Sequence, residues 1–232
     1  TNRFTVLSSL IYSFTPDQIF QLSYTYDRAR HRQTGEVIGL ELNGEPLDVF
    51  AVNAPLKDAA GNVLQKRDRL SLAILNQISG EYRGEFFDEK LTVNLGVRAP
   101  FFKRDLTNNC ATSSAAGFVE CFGTNTGAQT AWLANNPTVT IGSGASAGTS
   151  PVQGPQQRVF KFNKILPNLG LTYDLDQSAT VFVNYSKGVQ VPGTDSLYNS
   201  FYFAPTAAQA KPKPETTDNF DLGVRYRSGK LM

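Results

Sequence analysis

The sequence predicts an all-β fold, an antiparallel up-and-down transmembrane β-barrel, present here as a partial barrel of about seven strands. Three observations carry that expectation. Apolar and polar residues alternate with period two over several runs, so each run would show one apolar and one polar face. The joins between runs alternate strictly, a short turn and then a long irregular loop. If every join is a hairpin, all short turns lie at one end of the sheet and all long loops at the other, as in barrels with short periplasmic turns and long extracellular loops. Aromatics also gather on the apolar faces near the short turns (Tyr12, Phe14, Phe20, Phe86, Tyr173 and Tyr226), where an interfacial girdle would need them. A soluble β-sandwich also alternates, but its strands are usually shorter and its connections cross between two sheets.

The clearest run is near the end, where Phe220, Leu222, Val224 and Tyr226 alternate with Asn219, Asp221, Gly223, Arg225 and Arg227, and Ser228-Gly229-Lys230 closes it as a turn. From the start, residues 4–14 form a first strand with Phe4, Val6, Leu10, Tyr12 and Phe14 on one side. Thr15-Pro16-Asp17-Gln18 is turn chemistry. Phe20, Leu22, Tyr24 and Tyr26 then alternate with Gln21, Ser23, Thr25 and Asp27, completing a hairpin. Periodicity lapses from Arg28 to about Arg67, a long polar connection. A third strand spans Leu70 to about Phe87; Asp88-Glu89 turns it into a fourth, in which Leu91, Val93, Leu95, Val97 and Phe101 oppose Thr92, Asn94, Gly96 and Arg98. Residues 105–156 read as irregular. A fifth strand runs from about Arg158 to Tyr173, with Pro167 marking a bulge or local irregularity. Asp174–Ser178 turns into a sixth, with Ala179, Val181, Val183 and Tyr185 on one face, and residues 189–214 form the third long connection.

Composition excludes more than it proposes. With 232 residues, 41% hydrophobic content and a formal net charge of +2, the chain offers no electrostatic case for nucleic acid. No apolar run approaches the ~18 residues of a membrane helix, although barrel strands of ~9–11 residues would escape that test. Cys110 and Cys121 share one polar stretch; a bridge would suit an oxidising compartment, and two free thiols are the alternative. Nothing supports catalysis, a cofactor or a metal centre. His31 has no Cys, His or carboxylate at ligand spacing and reads as a solvated loop residue. Glu81 and Glu85 flank Arg83 on one strand face, a lumenal charge ladder rather than an acid–base pair. Gly142, Gly144 and Ala147 fit a dinucleotide-binding glycine spacing without its strand-then-helix context, so flexible loop is the expectation. No nucleophile elbow of the Gly-x-Ser-x-Gly type occurs.

Binding candidates lie in the long loops and on the upper polar wall. Trp132, Tyr198, Phe201, Tyr202 and Phe203 could cap a ligand, since aromatics offer stacking area at low rotamer cost, or could pack on one another to order their loops. Arg98, Arg104, Arg158 and Lys161 could attract an anionic ligand, or be solvated or paired with carboxylates of an enclosed domain.

Leu166-Pro-Asn-Leu-Gly-Leu-Thr-Tyr173, Ala179-Thr-Val-Phe-Val-Asn-Tyr-Ser-Lys-Gly188, Pro192, Lys213-Pro-Glu215 and Asp218-Asn-Phe-Asp-Leu-Gly-Val-Arg-Tyr226 together resemble the β-barrel portion of TonB-dependent outer-membrane receptors. The ordered succession covers residues 158–231, and residues 1–157 agree in architecture more than in motif. The resemblance implies a bacterial outer-membrane location and a barrel embedded in lipid. It also implies loops that capture a scarce nutrient, a ferric siderophore first and a glycan or cobalamin-like vitamin second, and import driven by the TonB complex through an N-terminal segment. Such barrels have about 22 strands and a plug; neither plug nor TonB-contacting segment is recognisable, and Met232 is not the usual terminal aromatic. Residues 1–232 are therefore expected to be an internal segment of a longer barrel. A non-transport surface barrel of adhesin type is the rival reading.

Overall fold

The computed structural model describes residues 1–113 and 119–227. In chain order the strands and helices are β1 (Asn2–Thr15), β2 (Gln18–Glu36), β3 (Val63–Phe86), β4 (Leu91–Asn108), β5 (Ala111–Thr112), β6 (Val119–Cys121), α1 (Thr126–Asn135), β7 (Thr138–Ile141), β8 (Gly148–Pro151), β9 (Gln156–Asn163), β10 (Leu166–Asp174), β11 (Ala179–Gln190), α2 (Thr194–Asn199) and β12 (Glu215–Tyr226). The main sheet follows the path β1-β2-β3-β4-β10-β11-β12, with every neighbouring pair antiparallel. This is the up-and-down order expected from the alternating joins. The sheet is open: β1 and β12 do not pair with each other. No helix among the described residues is long and apolar enough to cross a membrane, which says nothing of crossing by strands.

Directly opposed residues of an antiparallel pair share a face. The register therefore extends the one-strand patterns across the sheet. One face carries Leu95, Leu169, Tyr185 and Phe220 in a single row, and next to it Val93, Leu171, Val183 and Leu222. These side chains are open, Leu222 at 72% exposure and Phe220 at 68%, so the apolar face has no protein against it. The other face carries Asn94, Gly170, Asn184 and Asp221. Phe182 is an exception on this polar face, and it lies over Gly223, where any Cβ would overlap its ring.

Three expectations are corrected. First, β2, β3 and β4 run to 19, 24 and 18 residues, well past the points where alternation fades. A membrane crossing takes only ~9–11 residues; beyond it both faces of a strand meet polar surroundings, so Arg28, Arg30 and Arg32 face one side and Ala29, His31 and Gln33 the other. The ladder hydrogen bonds continue without the apolar signal. His31 is thus a strand residue opposite Ser71, not a loop residue. Second, the fifth strand is interrupted at Lys164-Ile165 and not at Pro167, which pairs with Val97. The cause sits next door: Pro100 lacks the N–H the ladder needs there, although its carbonyl still accepts from the Lys164 amide at 3.3 Å. Third, the segments expected to be irregular hold α1, the β7–β8 hairpin and α2. Gly142 and Gly144 have φ of +83° and +57° within that hairpin's connection, a turn requirement rather than a phosphate cradle. The expected Ser228–Lys230 turn lies outside the described residues.

At the short-turn end, Phe87, Asp88 and Glu89 all take positive φ (57°, 55° and 65°) to reverse β3 into β4. Near the opposite end, the polar-side wall carries the buried cluster Leu106, Phe162, Leu197, Tyr198 and Phe201.

Candidate functional site

The long connection after β11 does not extend into solvent. Pro192-Gly193 leads into α2, and a following 3-10 turn (Ser200–Tyr202) lays Leu197, Tyr198 and Phe201 onto the inner wall at Leu106 and Phe162. Tyr198 is 5% exposed and Phe201 1%. The Tyr198 hydroxyl lies 2.9 Å from the Leu70 carbonyl and 3.2 Å from the Thr107 carbonyl, donating into that pair, and 3.1 Å from Ser71 Oγ. Burial pushes the phenols of Tyr198 and Tyr202 above their ordinary pKa, so both remain neutral donors.

Arg158 on β9 fastens this loop. Its Nη1 donates to the Ser200 carbonyl (2.8 Å), Nη2 to the Phe203 carbonyl (2.6 Å) and Nε to Gln156 Oε1 (2.8 Å), while the guanidinium stacks 4.7 Å from the Phe201 ring centre. Ser150 Oγ of β8 donates to the Tyr202 carbonyl at 3.0 Å, joining the second long loop to the third.

These contacts leave a hollow of about 260 Å³ lined by Lys66, Arg67, Arg69, Asp195, Tyr198 and Tyr202, among others. Arg69 forms its floor: Nε donates to Gln33 Oε1 (2.9 Å), Nη2 to Asp195 Oδ1 (2.5 Å), and the guanidinium lies 4.2 Å above the Tyr198 ring. Three cationic side chains, one of them paired with Asp195, and two phenols thus line one opening with a net positive charge, a chemistry suited to an anionic, aromatic-rich group. Lower on the same wall, Ala29, Ala73 and Arg104 stand side by side on β2, β3 and β4. The two small residues leave a second hollow of about 370 Å³, bounded also by Arg3, Asp27 and Phe102. Asp27 is held there by Arg3 Nε and Thr5 Oγ1, both at 2.7 Å.

The structure separates the sequence candidates. Tyr198 and Tyr202 line the upper hollow and Arg104 the lower one. Phe201 and Arg158, for which ligand contact and structural packing were both open, serve as the loop's anchor and staple: the Phe201 ring is buried and the Arg158 guanidinium is engaged by two backbone carbonyls. Phe203 contributes its carbonyl to that staple. Trp132, half-buried on α1, packs 5.8 Å from Phe122 within its own segment and lines neither hollow. Arg98 is exposed on the polar face opposite Ser79 and Leu166. Lys161 faces the other side of the sheet, opposite Lys103. Lys66, Arg67 and Arg69 were missed: they fall in the aperiodic stretch before Leu70, where only the alternation of Arg67, Arg69 and Ser71 could have placed the two arginines on the inner face, and Lys66 has no such signal.

Cys110 and Cys121 are joined by a disulfide across the β5–β6 pair. Asp68 lies beside their sulfur atoms, but sulfurs in a disulfide offer no thiolate to a metal. Beside the bridge, Glu120 is pushed up to about 7, first by burial and then by the neighbouring Asp58 carboxylate to which it hydrogen-bonds. Burial would raise Asp58 too, but bonds from the Asn62 side chain and the Asn62, Ala60 and Gly61 amides hold it below the ordinary carboxylate range. On the inner face near the short turns, Arg83 donates to Glu85 at 2.6 Å.

A family model described as TonB dependent receptor-like, beta-barrel, matches residues 2–232. No curated protein matches the sequence. Among solved structures, the closed form of the ferric-catecholate import receptor Fiu from E. coli K12 aligns with a TM-score of 0.53 at 15% identity, over 99% of this chain and 29% of that one. The siderophore receptor PiuA from Acinetobacter baumannii aligns with a TM-score of 0.38 at 12% identity, over 97% of this chain and 37% of that one. The first alignment shows a shared fold, and the chain spans less than a third of that receptor's length.

Proposed function

The chain belongs to the TonB-dependent receptor β-barrel family, and from that premise we propose that it forms part of the wall and extracellular mouth of an outer-membrane receptor. The whole receptor binds a scarce nutrient and imports it with energy from the TonB complex, which it contacts through a segment preceding this stretch. Residues 1–232 are in this reading one piece of a larger barrel, and its apolar face meets outer-membrane lipid. A ferric siderophore is the cargo best matched by the site.

The observation that carries this reading is the upper hollow, where Lys66, Arg67 and Arg69 surround Tyr198 and Tyr202. Ferric chelates with catecholate or carboxylate arms are anionic, and guanidinium and phenol donors answer that charge. A volume of about 260 Å³ admits one arm of such a chelate rather than the whole. A neutral glycan or vitamin would draw less on the positive charge that Lys66 and Arg67 add beside the Arg69–Asp195 pair.

The test is binding to the full receptor by calorimetry, with a ferric tricatecholate, a neutral ferric hydroxamate and a neutral oligosaccharide as probes. Arg67→Gln should weaken the tricatecholate about tenfold, the worth of one charge-assisted bond. Binding of the sugar alone, or equal tricatecholate affinity in the variant, would refute the siderophore reading.

A further inference from the structure

Between β2 and β3 the register slips once. Thr34 pairs with Asp68 and Glu36 with Gln65, so Gly35 alone stands opposite both Lys66 and Arg67. A bulge of this kind turns a side chain away from strict alternation. A Cβ on Gly35 would lie 3.3 Å from Lys66 Cβ and 3.5 Å from Arg67 Cγ, so glycine leaves both long side chains room on one side. Lys66 thereby joins Arg67 and Arg69 at the upper hollow, a place that strict alternation would deny it.

Asp195 is the carboxylate that meets this cationic edge, and the two partners of the Arg69–Asp195 pair are held very unequally. The Arg69 side chain is 12% exposed, and Gln33 Oε1 at 2.9 Å and the Tyr198 ring at 4.2 Å fix its guanidinium without help from Asp195. The Asp195 side chain is 78% exposed, and among the described residues its carboxylate has no partner besides Arg69. Its backbone is set by Leu197 and Tyr198, buried two and three positions further on, so the carboxylate can swing away without unseating α2. An ion pair so open on one side favours the closed state by no more than about fivefold. Arg67 stands about 7 Å along β3 from Arg69, and among the described residues no carboxylate lies within ion-pair distance of it. The single Asp195 carboxylate therefore serves one guanidinium and leaves the other to a ligand.

We propose that Asp195 is a built-in competitor that sets the charge a ligand must carry: its Oδ1 occupies the place on Arg69 that an anionic oxygen of the ligand takes, and it swings out when that oxygen arrives. Being tethered, it competes at all times and at high effective concentration. For a ligand with one anionic group the exchange is a carboxylate for a carboxylate, with little net gain. A ligand with two or more such groups gains Arg67 and Lys66 as well, so the hollow selects polyanions. This rests on the anionic-cargo reading above and adds to it the residue that filters cargo by charge.

The test is calorimetry on the full receptor with three probes: a ferric tricatecholate, 2,3-dihydroxybenzoate as a single anionic arm, and a neutral ferric hydroxamate. Asp195→Asn keeps the shape of the side chain and removes its charge. It should tighten both anionic probes about fivefold and leave the hydroxamate unchanged, while Asp195→Glu should bind as the parent does. In an Arg69→Gln receptor the same Asp195→Asn change should alter nothing, since no guanidinium is left to compete for. A gain that persists without Arg69 would mark a field effect alone, and a gain shared by the hydroxamate would mark a loosened loop; either overturns the exchange. So does unchanged or weaker anion binding in Asp195→Asn. Tricatecholate binding that ignores Asp195 refutes the exchange and leaves the siderophore reading standing. Single-arm binding that responds to Asp195 while the tricatecholate does not bind refutes the siderophore reading and leaves the exchange standing. A receptor that takes up no anionic probe, with or without Asp195, refutes both.

Discussion

Replacing Arg158 by alanine should release the third long loop while leaving the barrel intact. The guanidinium makes two short bonds to backbone carbonyls, 2.8 Å to Ser200 and 2.6 Å to Phe203, and stacks on Phe201. Bonds from a charged donor contribute about 1.5–3 kcal/mol each, and the cation–π contact about 0.5–1 kcal/mol more. The side chain is only half-buried, so water can satisfy some of the freed carbonyls, and the net loss should be about 2–4 kcal/mol. It is local, because the strand ladder of β4 and β9 does not pass through the side chain. In hydrogen-exchange measurements on the full receptor, the Leu197 and Phe203 amides, bonded to Gly193 and Ser200 carbonyls, should exchange about 30- to 700-fold faster. β3 and β4 amides should be unchanged. Lysine at 158 should rescue little, since one ammonium cannot span both carbonyls or stack as a planar group. Unchanged exchange in the loop would refute the staple, and an equal rise in β3 and β4 would show that Arg158 supports the whole sheet.

Three further outcomes follow from the geometry. Leu222→Arg places a cation in the open apolar face and should cost about 2–4 kcal/mol in a bilayer-folding equilibrium, whereas Asn184→Ala on the polar face should be mild; similar losses for both would contradict the assigned facing. Cys110→Ser, which opens a loop with a sequence separation of 11, should destabilise the β5–β6 segment by about 3 kcal/mol, seen as faster proteolysis there with unchanged barrel melting. Glu120 takes up its proton more readily folded than unfolded, its carboxyl standing at about 7 against an ordinary 4.5. Its contribution is therefore fully present below about pH 4.5, is lost as pH rises to about 7, and is constant above. Exchange at residues 57–65 and 119–121 should accelerate over that window, and Glu120→Gln should flatten the profile; a parent profile that is already flat would remove the effect.

The lipid-level half of the fold was legible because solvent writes it into the chain. A strand with lipid on one side and a wet lumen on the other must alternate, and it did from Phe20 to Tyr26 and from Leu91 to Phe101. Past that level the constraint disappears. β2 keeps hydrogen-bonding to β3 as far as Glu36 and Gln65, but a backbone ladder imposes no side-chain pattern, so Arg28–Glu36 looked like loop. The site suffered the same blindness. Tyr198 and Phe201 were visible as loop aromatics, yet their burial depends on Leu106 and Phe162, residues 92 and 36 positions from the nearer ring, and no local spacing encodes a docking of that reach.

Facing, by contrast, is carried through the long strands by parity, and that decides which cations share a site. On β4, Arg98 and Arg104 differ by an even number of positions and face inward together, while Lys103 faces out. On the fifth strand the chain breaks at Lys164-Ile165, where a one-residue slip would exchange the two faces. The register shows no slip: Phe101 pairs with Asn163 and Arg98 with Leu166, so equal numbers of residues cross the gap on both strands. Arg158 and Phe162 are thereby fixed on the inner wall and Lys161 on the outer. A deletion of Ile165 would test this directly. It should turn Lys161 inward and Arg158 outward if β9 keeps its connection to β10, abolishing both the loop staple and the paired lysines. Retention of either would mean that β4 alone, and not the continuity of the fifth strand, sets the facing.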